Sequence, residues 1–188
     1  MRGMILLGVI LVLAGSLATP VRGQAGRINL FVDSLYSKCW HYEEYGTYDV
    51  HVYVVHQNTP GATGCRFKLK PSGSAFGWTY MSETSPYTVT GNTRTGITVD
   101  YGACLASDIL ITTILYLKNA GSGYCTTLTP VADPAAASGA IEVYDCNGNV
   151  LAGTGQPLLI NPRDNCSVWC NVLPVDDTTW GRVKALYE

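Results

Sequence analysis

The chain has 188 residues, 12 of them basic and 14 acidic, for a formal net charge of −2, and 47% of it is hydrophobic. No Lys/Arg cluster stands anywhere in it, which argues against nucleic acid as a partner, because that binding rests on phosphate neutralisation. The length suits one domain with its own core once an N-terminal leader is set aside.

That leader comes first. Arg2 supplies a positive start, Met4 to Ala18 (MILLGVILVLAGSLA) is an uncharged apolar run, and small residues follow at Gly23 and Ala25. This order is that of a secretory signal peptide, expected over residues 1–25. The run falls short of the ~20 residues a membrane span needs. Cleavage is expected after Ala25, with Ala18 as the alternative. Ser16 stands where LAGS would need a lipidated cysteine, so no lipid anchor is expected. The product is then secreted, extracellular or periplasmic, free of the membrane, and more acidic, since Arg2 and Arg22 leave with the leader.

Residues 26–174 read as one domain of short strands. INLFVD (Ile28 to Asp33) is followed by an aromatic-rich stretch holding Trp40, Tyr42, Tyr45, Tyr48 and Tyr53. DVHVYVVH (Asp49 to His56) is β-branched and aromatic, with Val50, Val52 and Val54 on one face. CRFKLK alternates with a period of two, Cys65, Phe67 and Leu69 inward and Arg66, Lys68 and Lys70 outward, the pattern of a half-buried strand. Further strands are expected at GWTYM (Gly77 to Met81), YTVT (Tyr87 to Thr90) and GITVDY (Gly96 to Tyr101). DILITTILYLK (Asp108 to Lys118) is apolar on both faces and rich in β-branched residues, which suits a central strand. GAIEVYD, VLAGT and PLLIN close the series. Gly-rich turns separate these segments, and Asn147-Gly148 between two β runs predicts a type I′ hairpin. Ten short strands at such spacing predict an all-β, antiparallel sandwich of about nine to ten strands. The last stretch, 175–188, is expected to be a short helical tail docking through Trp180 and Val183.

The seven cysteines are Cys39, Cys65, Cys104, Cys125, Cys146, Cys166 and Cys170. In an exported chain thiols tend to be oxidised and paired, and an odd count leaves at least one over. Cys146, Cys166 and Cys170 offer three zinc ligands, but all three histidines lie before residue 57, so disulfides are favoured and no metal is expected. Cys104 and Cys125 flank a strand that spans about 35 Å, so each is expected to bond a neighbouring strand end. Cys146 with Cys166 or Cys170 is the favoured pair. Asp145, Asn147 and Asn149 imitate a calcium-loop start, yet Val150 and Gln156 stand where that loop needs glycine and glutamate.

Catalytic patterns are wanting. There is no GxSxG elbow, His51 and His56 face opposite sides of one strand, and Glu43 with Glu44 reads as solvated loop. The aromatics are the better functional sign. Trp40 and Tyr45, in a polar loop, are the expected exposed members and Trp78 the expected core member.

The run YDVHVYVVHQNTPGATGCRFKLKP resembles the opening of cohesin-type domains, with a strand, a short PG turn and an alternating strand, and DILITTILYLK resembles their later central strand. Ig-like sandwiches share much of the pattern. The resemblance implies a cohesin-like or Ig-like sandwich and a non-catalytic module that holds partner proteins at a bacterial surface, without a cofactor. The expected function is accordingly a secreted or cell-surface module that binds another protein. The alternative is a carbohydrate-binding module built on Trp40, Tyr42 and Tyr45, and a secreted hydrolase comes last.

Overall fold

The computed structural model describes residues 25–72, 76–106 and 108–167. Residues 1–24 of the expected leader, Cys170, and the tail with Trp180 and Val183 lie outside the described residues.

Twelve strands form, and among the described residues there is no helix, hence none long and apolar enough to cross a membrane. They are β1 (Arg27–Phe31), β2 (Trp40–His41), β3 (Tyr48–Gln57), β4 (Ala62–Pro71), β5 (Trp78–Thr84) and β6 (Thr88–Asn92). After them come β7 (Gly96–Leu105), β8 (Ile109–Lys118), β9 (Thr126–Val131), β10 (Ile141–Asp145), β11 (Val150–Gln156) and β12 (Leu158–Ile160). The main path runs β2-β12-β9-β4-β10-β11-β1-β3-β8-β5, with β7 and then β6 branching from β4. The sheet folds over on itself, so that β1, β3, β5 and β8 share one apolar core with β4, β7, β9, β10 and β12.

Ten strands coincide with segments predicted by their alternation. In β4 the burial follows the period of two, with Cys65, Phe67 and Leu69 buried and Arg66 and Lys68 half-buried. β8 is flanked by β3 and β5, as a strand apolar on both faces should be. Phe67, Ile28, Leu30, Ile97, Ile111 and Ile114 are fully buried, each stabilising the fold by about 1.5–3 kcal/mol.

Five expectations need correction. The sheet is mixed rather than antiparallel: β1 pairs β11, and β12 pairs β2, in parallel. These pairs join the first strands of the chain to the last, and they are the two places where strands far apart in sequence run the same way. Two strands go unread, β2, too short to show a period, and β9, which contains Pro130. The proline is tolerated because β12 pairs only Thr126 to Leu128, leaving Pro130 with β4 as its one ladder partner.

The turn at Asn147-Gly148 is not type I′, because of the two only Gly148 has positive φ (81°). The Gly148 N–H donates to the Asp145 carbonyl (3.1 Å), and the Asp145 carboxylate accepts from the Asn147 and Asn149 N–H groups. A wider turn ending in a left-handed glycine fits the strands there.

Finally, Cys146 bonds Cys104, and Cys125 bonds Cys166. Near its start β4 lies between β7 and β10: Ala62 pairs both Leu105 and Asp145. Cys104 and Cys146 each stand one residue from those partners. The bridge passes over Gly61, where a Cβ would lie 2.7 Å from Cys146 Sγ. Cys125 and Cys166 meet because β9 and β12 are antiparallel and end together, Ile160 opposite Thr126. Cys39 is buried and disulfide-bonded as well.

Cys65 is the exception among the expected disulfide cysteines: it is a free, buried thiol. Its Sγ lies 3.3 Å from the Tyr101 hydroxyl, which lies 3.2 Å from His56 Nδ1. His56 Nε2 is 2.7 Å from the Ala25 carbonyl. A carbonyl only accepts, so Nε2 carries the proton, and the Tyr101 hydroxyl donates to Nδ1 of a neutral ring. Burial, opposed by the bond to Ala25, holds His56 below its ordinary pKa, and burial pushes the Cys65 thiol up to about 12.

Candidate functional site

β2 and the segment that follows it, residues 40–48, carry the predicted aromatics. β2 hangs on β12 by two parallel pairs, Trp40 with Leu159 and His41 with Ile160. Beyond it the chain has no ladder partner until β3, so its position depends on side chains.

Glu43 supplies most of them. Its Oε1 accepts from Trp78 Nε1 (2.6 Å) and Ser122 Oγ (2.6 Å), and its Oε2 from the Ser122 N–H (2.7 Å) and Asn161 Nδ2 (3.0 Å). The Glu43 N–H donates back to Asn161 Oδ1 (2.9 Å). One carboxylate thus ties the loop to β5, to the 119–125 connection and to the end of β12. Burial raises its pKa, but the Ser122, Asn161 and Trp78 donors more than reverse this and hold it below its ordinary value.

The far side of the loop is held by Lys118, whose ammonium donates to the carbonyls of Glu44 (2.9 Å) and Gly46 (2.7 Å). It also sits 5.4 Å from the centroid of the Tyr48 ring. The Glu44 N–H donates to the Tyr48 hydroxyl (2.9 Å), which lies 3.1 Å from His41 Nε2. His41 packs edge-on against Trp78. Burial lowers its pKa against the opposing pull of Glu43 and Glu44, so the ring is neutral at pH 7.

With the backbone fastened from below, the predicted residues point outward. Relative exposure is 39% for Trp40, 59% for Tyr42 and 106% for Tyr45, while Trp78 is 5% exposed in the core. Trp40 and Tyr42 meet edge to face, with centroids 5.5 Å apart and planes at 64°. Tyr45 stands clear of that pair's ring contact. Sequence reasoning missed the anchors. Glu43 looked solvated, and its donors lie 35 to 118 residues away. A buried tryptophan in need of an acceptor for its indole N–H was the one readable sign.

The titratable groups do not converge on a reactive centre. His51 is exposed and His56 is sealed in the core. Both Glu43 oxygens are already occupied by donors. Among the described residues no group of three His, Cys, Asp or Glu side chains is placed to hold a metal ion.

No family model matches this chain. No curated protein matches it either. Among solved structures it is similar to the seventh type I cohesin of a Pseudobacteroides cellulosolvens scaffoldin, with 12% identity over 78% of this chain and 95% of that one, TM-score 0.47. A type II cohesin domain from the Acetivibrio cellulolyticus cellulosome shows 14% identity over 72% and 95%, TM-score 0.47. The cohesin module of a Clostridium perfringens family 33 glycoside hydrolase shows 10% identity over 72% and 98%, TM-score 0.43.

Proposed function

We propose that this protein is a non-catalytic, extracytoplasmic binding module that contacts another protein through the aromatic surface of residues 40–45. The supporting observation is the contrast within one loop: a polar underside fixed by Glu43 and Lys118, and an upper side presenting Trp40, Tyr42 and Tyr45. Rigid, exposed aromatic rings bury large areas on contact at little cost in side-chain entropy, the composition of binding hot spots. Disulfides suit an oxidising compartment, hence a partner that is itself extracellular or on a cell surface. No cofactor enters this reading.

A glycan is the competing ligand. Sugar rings stack on flat, open faces, and the edge-to-face packing of Trp40 on Tyr42 does not offer a two-ring platform. That geometry favours a protein. The test pairs a pull-down from the native secretome with a glycan array, using the wild-type chain and a Tyr42→Ala/Tyr45→Ala variant. A partner protein is expected to be retained by wild type and lost by the variant, each ring contributing about 2 kcal/mol as hot-spot residues do. Melting should be unchanged, since Tyr42 and Tyr45 are exposed. Sugar binding that disappears in Trp40→Ala would replace the protein reading with the glycan one.

A further inference from the structure

A groove of about 640 Å³ opens between β4 and β5, lined by Lys68 to Pro71 on one wall and by Trp78, Thr79 and Tyr80 on the other, with Arg94 at its rim and Tyr116 and Leu128 at its floor. We propose that this groove binds an extended, acidic polypeptide segment of a partner protein, added as a strand along the open edge of β5. The inference rests on the protein-binding reading above but uses a separate surface.

The β5 wall is an open sheet edge. β5 ends the strand path and pairs only β8, so its other edge carries no ladder among the described residues. β4 is flanked by β7 as far as Phe67, and β9 covers its opposite edge from Lys68 to Pro71. On the β7 side the Leu69 N–H is taken by the Thr93 carbonyl (2.7 Å) and Pro71 has no N–H, so β4 is a wall without a free donor and the β5 edge is the open one among the described residues. Unpaired edges of this kind accept another chain by main-chain hydrogen bonding. The open stretch of β5, Trp78 to Tyr80, is three residues long, about 10 Å, enough for a short extended segment. The bulge at Tyr80/Ser82 ends the open stretch of β5 on one side.

Charge selects the occupant. Lys68, Lys70 and Arg94 line the groove, and no acidic residue does. The Arg94 guanidinium is held 5.3 Å from the centroid of the Tyr80 ring, part of the same wall. Two nearby carboxylates are engaged elsewhere: Glu83 accepts from the Thr93 N–H and hydroxyl, and Asp133 pairs with Arg66 at 2.7 Å. An added strand alternates its side chains. One set therefore meets the apolar floor of Tyr116 and Leu128 beside Trp78, and carboxylates near the rim meet the three cations.

The probe is a fluorescently labelled, blocked peptide Glu-Val-Glu-Val-Glu, titrated against the full oxidised chain and followed by anisotropy. Binding is expected, weakening as salt rises, and falling at least tenfold in Lys70→Glu/Arg94→Glu. Both residues are exposed, so an unchanged melting temperature certifies the variant fold. Hydrogen exchange at the Trp78 to Tyr80 amides should slow on binding, and a backbone N-methylated peptide should not bind. No binding, equal binding of the Lys-Val-Lys-Val-Lys peptide, or full affinity of the N-methylated peptide overturns the proposal. So does an acidic oligogalacturonate that occupies the groove where the peptide fails. Loss of partner capture in the Tyr42/Tyr45 variant leaves this titration untouched, so the two readings fail separately.

Discussion

The loop at residues 40–48 and the turn at residues 145–149 each have a carboxylate at their centre, and the two carboxylates do different work. Glu43 accepts from Trp78, Ser122 and Asn161, residues 35 to 118 positions away, and knits three segments into one surface. The Asp145 carboxylate accepts from Asn147 and Asn149, two and four residues on, and acts within its own turn. Long-range attachment of that turn comes from the ladder to Ala62, from the Thr63 hydroxyl on the Asp145 carbonyl (3.3 Å), and covalently through Cys146 to Cys104. A surface segment can therefore be fixed by a carboxylate where indole, amide and backbone donors converge. Where the carboxylate's donors are local, the ladder and a covalent tether hold the segment instead.

The comparison can be broken at its stronger member first. The two bridges close loops of 42 and 41 residues, for which chain entropy predicts a stabilisation of about 4 kcal/mol each. The double variant Cys104→Ala/Cys146→Ala should lose about that much in urea unfolding. Equal stability of variant and wild type would mean the turn is held without its tether.

Glu43→Gln comes next. The amide keeps one acceptor oxygen but turns an NH₂ toward donors that need an acceptor, which should cost about 2 kcal/mol by the same measurement. The acid limb sharpens the point. Because the folded value of Glu43 lies below its ordinary 4.5, its stabilisation is complete above that ordinary value and is lost as pH falls through the folded one. Glu43→Gln should erase that share of the acid sensitivity. An acid limb identical in variant and wild type would remove Glu43 from the role given to it.

The smallest effect belongs to the sulfur that tethers nothing. Cys65 is fully buried and its thiol is raised to about 12, so almost no thiolate exists at pH 8. Intact mass after iodoacetamide should show no adduct on the native chain and one on the chain unfolded without reductant. Labelling of the native chain would show that the core around Tyr101 opens.

Strands were legible wherever one face is dry and the other wet, as in β4, and where both are dry, as in β8. Alternation is a local property and survives in the sequence. Pairing direction is not local: nothing near Ile28 announces that β11 will run parallel beside it. The same limit hid the cysteine partners, fixed by Ala62 lying between β7 and β10. The candidate site divides the same way. Its exposed rings could be read from a polar setting, while Glu43 could be understood only once its distant donors were in place.

The seal on His56 bears on where the expected leader would be cut. Ala25 is 7% exposed, belongs to the core, and gives its carbonyl to an imidazole with no solvent access. Gly26 turns there with a φ of 79°, so close to His56 that a Cβ would lie 2.7 Å from Nε2. A leader peptidase cutting the Ala25–Gly26 bond would carry off that acceptor and uncap the ring. A cut at Ala18 would spare it, and the mass of a processed chain would distinguish the two scissions.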